Sequence, residues 1–195
     1  EELVLGLDLT GRGLSGPLPP ALGKLESLTH VWLAGNALSG PASRSLLALP
    51  TFGKLRHVDL SRNGLSGFLA DELFTSDVLE LLNLSHNQLS GTLSPALVAH
   101  PGRALKVLDL SHNGLEGQIV LMPGTKVTKD SSLEHLDLSH NILSGGIPEE
   151  LSELANLTHL DLSHNGFGGG VPARLGRCHT LRTLNLSDNQ LSGPL

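Results

Sequence analysis

The chain has 195 residues, 39% of them apolar, and a formal net charge of −6 at pH 7. This acidic balance does not support a nucleic-acid-binding surface, and without a run of about 18 apolar residues no segment is expected to span a membrane. The single cysteine, Cys178, excludes an internally disulfide-bonded scaffold but leaves the redox compartment open.

One pattern of leucine, asparagine and glycine recurs along the whole sequence. Residues 133–145 read LEHLDLSHNILSG, with the spacing L-x-x-L-x-L-x-x-N-x-L-x-G. We number repeat positions from the first leucine, and residues 1–195 then form a single array of about eight repeats. The repeats begin at Val4, Leu28, Leu55, Leu79, Leu105, Leu133, Leu157 and Leu181. Because the sequence has no initiator Met and no signal-like start, we expect it to be a segment of a longer chain.

The spacing of the leucines predicts the structure of one repeat. Leu136 and Leu138 are two residues apart and should leave the same face of a short strand, whereas Asp137 should leave the other face. A single repeat of some 24 residues buries too little apolar surface to offset its ordering entropy. Stacked repeats share their cores, so the pattern predicts a solenoid with a parallel sheet.

An asparagine follows the strand in every repeat except the first, which has Arg12 there. An inward amide can pair with backbone groups at the turn, and an unpaired buried polar group costs about 1–3 kcal/mol. Arg12 cannot act as a buried amide, so we expect an atypical first repeat. The predicted asparagine ladder consists of Asn36, Asn63, Asn87, Asn113, Asn141, Asn165 and Asn189.

Three repeats continue with a Gly-x-x-Pro segment, as in LSGPLPPALGKLESL, LSGGIPEELSELANL and FGGGVPARLGRCHTL. The pattern L-x-G-x-I-P-x-x-L-x-x-L resembles the plant-specific class of leucine-rich repeat (LRR), found in receptor-like kinases, receptor-like proteins and polygalacturonase-inhibiting proteins. The resemblance implies an α/β repeat solenoid, a right-handed superhelix with a parallel concave sheet and short strands and 3₁₀ turns on the convex side. Repeat five departs from the pattern with a predicted convex loop from Val120 to Ser132, and the paired-cysteine caps of secreted members are absent.

Solenoids of this kind commonly bind through the concave face, which here is predicted to carry repeat positions 3, 5 and 8. Eight of the ten histidines occupy these positions. The candidate ligand-binding residues are His30, Trp32, His57, Asp59, Arg62, His86, Asp109, His112, His135, Asp137, His140, His159, Asp161 and His164.

The histidines have three interpretations. Repeat duplication can copy L-D-L-S-H-N without any selection for a site, and this is the simplest explanation. A metal site at His135, Asp137, His159 and Asp161 is disfavoured because zinc ligands converge at about 2 Å, whereas a flat sheet presents its side chains in parallel. A response to pH fits better, since histidines about 4.8 Å apart resist being charged together. We expect no cofactor.

Trp32 could anchor a ligand or cover the edge beside Gly6 and Gly11, and both possibilities stay open. The trio Asp137, Ser139 and His140 does not suggest a hydrolase, because adjacent strand residues alternate faces and the trio recurs in several repeats.

Three sequons provide possible glycosylation sites at Asn83, Asn156 and Asn185. Asn156, which precedes its strand, is the best acceptor, and a glycan on Asn83 would obstruct the concave face.

The sequence therefore favours a non-enzymatic module that recognises a protein or peptide, and the resemblance suggests an extracellular or cell-surface ectodomain. Two alternatives remain: a structural subunit of a larger assembly, which could be intracellular, and an inhibitor of a cell-wall hydrolase.

Overall fold

The computed structural model describes residues 3–95, 97, 104–120 and 131–194. Each repeat contributes one strand to each of two parallel eight-stranded sheets. The first sheet contains β1 (Gly6–Asp8), β3 (His30–Trp32), β5 (His57–Asp59), β7 (Leu81–Asn83), β9 (Val107–Asp109), β11 (His135–Asp137), β13 (His159–Asp161) and β15 (Thr183–Asn185). The second sheet contains β2 (Ser15–Gly16), β4 (Ala37–Pro41), β6 (Gly64–Gly67), β8 (Gln88–Thr92), β10 (Gly114–Gln118), β12 (Ile142–Gly145), β14 (Gly166–Gly169) and β16 (Gln190–Leu191).

Strands in the first sheet pair in chain order, and residues at the same repeat position are direct neighbours. His135 pairs with His159, for example, and Asp137 with Asp161. This register follows from the sequence, because any shift by one residue would turn the leucines out of the core.

Short helices return the chain from the second sheet to the first. Among the described residues five are 3₁₀ helices: Pro20–Lys24, Phe52–Lys54, Asp71–Leu73, Glu149–Glu153 and Leu175–Arg177. Repeat two also contains an α-helix, α1 (Ala42–Leu47), where the sequence ASRSLL has good helix formers and no proline. Most of the predicted loop over 120–132 lies outside the described residues.

The interior is one continuous apolar cluster extending from Leu18 to Leu175. Leu136 and Leu138 are 1% and 0% exposed, while Asp137 between them is half-buried. Each second-sheet strand from β4 to β14 adds one buried apolar side chain: Leu38, Leu65, Leu89, Leu115, Leu143 and Phe167. The LRR solenoid predicted from the leucine spacing is therefore confirmed.

Asparagine side chains join neighbouring repeats. The Asn141 amide nitrogen donates to the carbonyl of Leu110 in the previous repeat and to those of Leu138 and Ser139 in its own, each at 3.1 Å. Its oxygen accepts from the amide of Leu115, again in the previous repeat, at 3.0 Å. Each asparagine thus pairs the turn of the repeat before it with its own.

This direction explains why the first repeat tolerates Arg12. The oxygen of Asn36 accepts from the amides of Arg12 and Leu14, so the turn of repeat one is paired by the asparagine of repeat two. The Arg12 side chain is itself exposed. In the part of the chain that the structure describes, no helix is both long and apolar enough to cross a bilayer.

Candidate functional site

The outward side chains at repeat positions 3 and 5 form the surface that we call the first-sheet face. His30, His57 and His135 occupy position 3 and are half-buried, while His159 is exposed. Position 5 contains half-buried Trp32, Asp59, Asp109, Asp137 and Asp161. The residues between these positions, such as Val31 and Leu160, are 2% and 1% exposed and belong to the core. The strands therefore present positions 3 and 5 on one surface.

Position 8 lies beyond the strand, at a turn with left-handed backbone. Arg62, His86, His112, His140 and His164 have φ between 51° and 53°. The first two repeats place Gly11 and Gly35 at this position, with φ of 64° and 66°. Glycine adopts this conformation freely, and histidine is one of the few other residues enriched in it. Strand alternation did not predict the turn, but the glycines were a signal for it.

The four turn histidines, His86, His112, His140 and His164, form a continuous ring stack, which we call the histidine stack. Neighbouring ring centroids are 4.0, 3.9 and 4.0 Å apart, and the interplanar angles are 10°, 12° and 15°. Position 8 of the preceding repeat is Arg62. At the other end, the His164 Nε2 atom lies 3.2 Å from Asp188 Oδ2.

Burial, followed by the neighbouring rings, favours the neutral form inside the histidine stack. Burial and then His86 lower the pKa of His112, although Asp109 and Asp137 oppose the shift. The pKa of His140 is lowered by burial and then by His112 and His164. When the pH falls below the ordinary pKa range of histidine, these rings take up protons next to neighbours that are also becoming positively charged.

Strand histidines are less regularly arranged. The His135 and His159 rings are 5.5 Å apart and tilted by 35°, and His30 meets His57 edge-on at 4.6 Å. Aliphatic side chains at Leu81 and Val107 separate these two pairs along position 3. Only the turn position brings four rings into one stack.

Position 5 carries a row of carboxylates that also close the turns. An oxygen of Asp137 accepts the backbone N–H of Ser139 at 2.9 Å, and Asp161 holds Ser163 in the same way. The pKa of Asp137 is raised above its ordinary value. Burial is the largest cause and the charges of Asp109 and Asp161 add to it, whereas the hydrogen bonds from Ser139 act to lower the pKa. Burial also acts to raise the pKa of Asp161, but hydrogen bonds from Ser163 and Asn185 give a net lowering.

Trp32 covers one part of the edge strand and remains half-buried. A Cβ atom at Gly6 would lie 3.3 Å from the indole Cζ3 atom, so the ring packs over that glycine. The His30 ring stacks beside the indole with centroids 5.4 Å apart. The Trp32 indole thus covers the edge strand beside Gly6 and still presents surface to solvent.

The three sequon asparagines differ in their surroundings. Asn83 lies on the first-sheet face and accepts from both the amide and the hydroxyl of Ser85. Asn185 donates to Asp161 at 2.9 Å. Asn156 is exposed before β13, and its amide nitrogen donates to the carbonyl of Ser131 at 2.7 Å.

Within residues 3–95, 97, 104–120 and 131–194, no group of three or more His, Cys, Asp or Glu side chains could hold a metal ion. Ser139 is 5% exposed, whereas His140, the next residue, points to solvent. The trio Asp137, Ser139 and His140 thus divides between the core side and the solvent side of the sheet.

Models of the leucine-rich repeat family match residues 54–75, 78–99, 104–124, 122–167 and 177–194. Receptor-like protein 47 of Arabidopsis thaliana is 37% identical over 102 residues, which are 52% of this chain and 12% of that protein. The plant peptide hormone receptor RGFR1 in complex with RGF2 shares 27% identity at a TM-score of 0.78, covering 97% of this chain and 33% of that one.

A third similar protein is the Arabidopsis receptor kinase HAESA, solved with the peptide hormone IDA and the co-receptor SERK1. It is 31% identical at a TM-score of 0.75, covering 93% of this chain and 29% of that chain. The chain thus spans only a minor part of each of these proteins. With the repeat geometry above, these matches show that the chain belongs to the leucine-rich repeat family, in the plant type of receptor-like proteins and LRR receptor-like kinases.

Proposed function

We propose that the chain is a non-enzymatic part of a receptor-like ectodomain at the cell surface, and that it binds a protein or peptide through the first-sheet face. The observation that carries this proposal is the contrast between inward and outward residues of the same strands. At position 4 the repeats contain only Leu or Val, whereas position 3 contains Gly, His, Leu, Val and Thr. Packing explains the inward uniformity, and the outward variety gives each stretch of the face its own chemistry.

Comparison with solved structures supports a peptide as one class of partner. Two similar proteins, RGFR1 and HAESA, were solved with peptide hormones. The face here presents histidines and carboxylates on several parallel strands in register, which suits an extended ligand that contacts several repeats. Because the strands are only three residues long, a partner would need to cross many of them to bury a substantial area.

Two matched variants test the proposal. The chain is screened against an array of synthetic secreted plant peptides, and each binder is retested with His135→Glu/His159→Glu and with Glu149→Gln/Glu153→Gln. The first variant places charge on the first-sheet face, and the second removes charge from the 3₁₀ helix away from it. We expect at least about tenfold weaker binding for the first variant only. Equal binding by both, or loss only in the helix variant, would refute recognition through this face.

One observation favours the alternative of a structural subunit. Phe68, which directly follows β6 of the second sheet, is 73% exposed, and its ring covers Gly91 in the next repeat. An exposed aromatic ring of this kind can anchor a permanent contact. If Phe68→Ser releases a co-purifying subunit while the histidine variant does not, the assembly role is favoured over recognition by the first-sheet face.

A further inference from the structure

Trp32 lies between two carboxylates at one end of the first-sheet face. The strand register pairs Asp8 with Trp32 and Trp32 with Asp59. Neighbouring strands are about 4.8 Å apart, so the two aspartates lie on the strands that flank Trp32 and on the same side of the sheet. Trp32 is the only tryptophan in the chain, and in every other repeat position 5 is Asp or Asn.

Each of the two carboxylates has at least one oxygen engaged by the fold. An oxygen of Asp8 accepts from the amide of Thr10, and the corresponding oxygen of Asp59 accepts from the amide of Ser61, each at 2.9 Å. The Thr10 hydroxyl also hydrogen-bonds to Asp8, and no other donor to either carboxyl group is found among the described residues. Because an ionised carboxylate has about four acceptor sites, both groups can accept further hydrogen bonds.

Asp8 is held in its charged form. The hydrogen bonds from Thr10, and to a smaller extent the charge of Arg12, lower the pKa of Asp8. Arg12 makes no ion pair with Asp8 in the described structure. At neutral pH the carboxylate is therefore available to a cation from outside.

The nearby His57 does not supply that cation at neutral pH. Burial, followed by the neighbouring His30, lowers the pKa of His57. The His30 Nδ1 atom is 2.7 Å from the Thr29 hydroxyl, which holds the ring beside the indole. Trp32 therefore has a carboxylate on each neighbouring strand and the His30 ring beside its indole.

Glycines leave space next to this group. A Cβ atom at Gly11 would meet nothing within 4 Å, and one at Gly35 would meet only the backbone of Gly11 at 3.9 Å. In later repeats the same turn position carries the histidine stack. The first two repeats thus leave open backbone beside Trp32, at the position where repeats four to seven carry the histidine stack.

We infer that Asp8, Trp32 and Asp59 form a subsite for a cationic side chain, arginine or lysine, of the protein or peptide partner. The inference rests on the proposed function and specifies the chemistry of one part of it. A guanidinium or ammonium group within about 6 Å of an indole is attracted by the ring, and the carboxylate oxygens offer charge-assisted hydrogen bonds. An apolar side chain would desolvate both carboxylates without pairing them, which is unfavourable.

The single tryptophan allows the subsite to be probed directly. Fluorescence of Trp32 is followed while the chain is titrated with acetyl-Gly-Gly-Arg-Gly-Gly-amide at neutral pH and low ionic strength. The matched probe has citrulline in place of arginine, which preserves shape and removes charge. We expect a saturable change with arginine and at least about fivefold weaker binding of citrulline.

Single-charge variants locate the effect. Asp8→Asn and Asp59→Asn should each weaken the arginine peptide by about three- to tenfold, whereas Asp71→Asn, in the 3₁₀ helix Asp71–Leu73, should leave it unchanged. Asparagine is compatible with this strand position, because Asn83 there accepts from the amide of Ser85 at 3.0 Å as aspartate does elsewhere. Circular dichroism of each variant verifies the fold.

Three results would overturn the inference. Equal responses to arginine and citrulline would indicate a neutral stacking surface, as for an uncharged sugar. An equal loss in Asp71→Asn would indicate attraction to the net charge of −6 alone. If Asp59→Asn binds the peptides found in the array screen normally while His135→Glu/His159→Glu does not, the subsite is absent and recognition through the first-sheet face still stands.

Discussion

Replacing His112 and His140 with asparagine should make the stability of the array less sensitive to acid. The folded protein lowers the pKa of both histidines below the ordinary value of 6.5, so the unfolded chain binds more protons in the range just beneath it. Their contribution to stability is complete above about pH 6.5 and is lost as the pH falls through the folded-state pKa values. Asparagine does not titrate in this range and tolerates the left-handed backbone at φ 53° and 52°.

The size of the effect follows from the ring spacing in the histidine stack. Two unit charges about 4 Å apart repel by about 1 kcal/mol in water, so three neighbouring pairs would total about 3 kcal/mol if all four rings were charged. Asp137, Asp161 and Asp188 offset part of this repulsion, while Arg62 adds to it. We expect the unsubstituted chain to lose about 1–2 kcal/mol more free energy of unfolding than the variant between about pH 7.5 and 5.

Urea unfolding followed by circular dichroism at several pH values measures this difference. His135→Asn/His159→Asn is the matched control, because those rings are 5.5 Å apart and tilted, and we expect it to lose stability nearly as the unsubstituted chain does. About 1 M NaCl should reduce the acid sensitivity of the unsubstituted chain, since salt screens exposed charges. Parallel pH profiles for the unsubstituted chain and His112→Asn/His140→Asn would refute the reasoning.

Three further predictions concern single residues. Asn141→Ala should lower the free energy of unfolding by about 2–4 kcal/mol, because it leaves buried carbonyls and the Leu115 amide unpaired; Asn189→Ala, in the last repeat, should cost less in the same urea experiment. Asp137→Asn should raise that free energy by about 0.5–1.5 kcal/mol at pH 7, since its raised pKa shows that the fold disfavours the charge, and the gain should vanish once acid protonates Asp137. When the chain is expressed through a secretory pathway, intact mass should show a glycan that Asn156→Gln removes and Asn83→Gln does not, because Asn156 is exposed before its strand whereas Asn83 is half-buried within β7.

The repeat fold could be predicted from the sequence because few other folds are compatible with its leucine spacing. Leucines two residues apart on a strand must both face inward, and the 24- to 28-residue interval places one such strand in each repeat. Leu136 and Leu138 are buried as this pattern requires. The α-helix Ala42–Leu47 was not predicted. The resemblance to plant-type repeats implied a 3₁₀ turn at this point, whereas the local helix preference of ASRSLL favours an α-helix.

The surface was less predictable, because it depends on backbone conformation at one turn. Alternation assigned position 8 to the strand surface with an expected spacing of about 4.8 Å. The left-handed turn instead brings the rings of His112 and His140 to 3.9 Å. Gly11 and Gly35 at the same position indicated such a turn, but the distance between rings depends on side-chain orientation that no pattern of residue types specifies.

These contacts divide the face into two parts with different capacities for binding. In repeats four to seven, the turn histidines stack on one another, and Asp161 is engaged by Ser163 and Asn185. Around Trp32, by contrast, glycines leave the backbone of the turn open and no ring stack covers it. A partner that needs specific polar contacts gains more at the first three repeats, where fewer existing interactions must be broken.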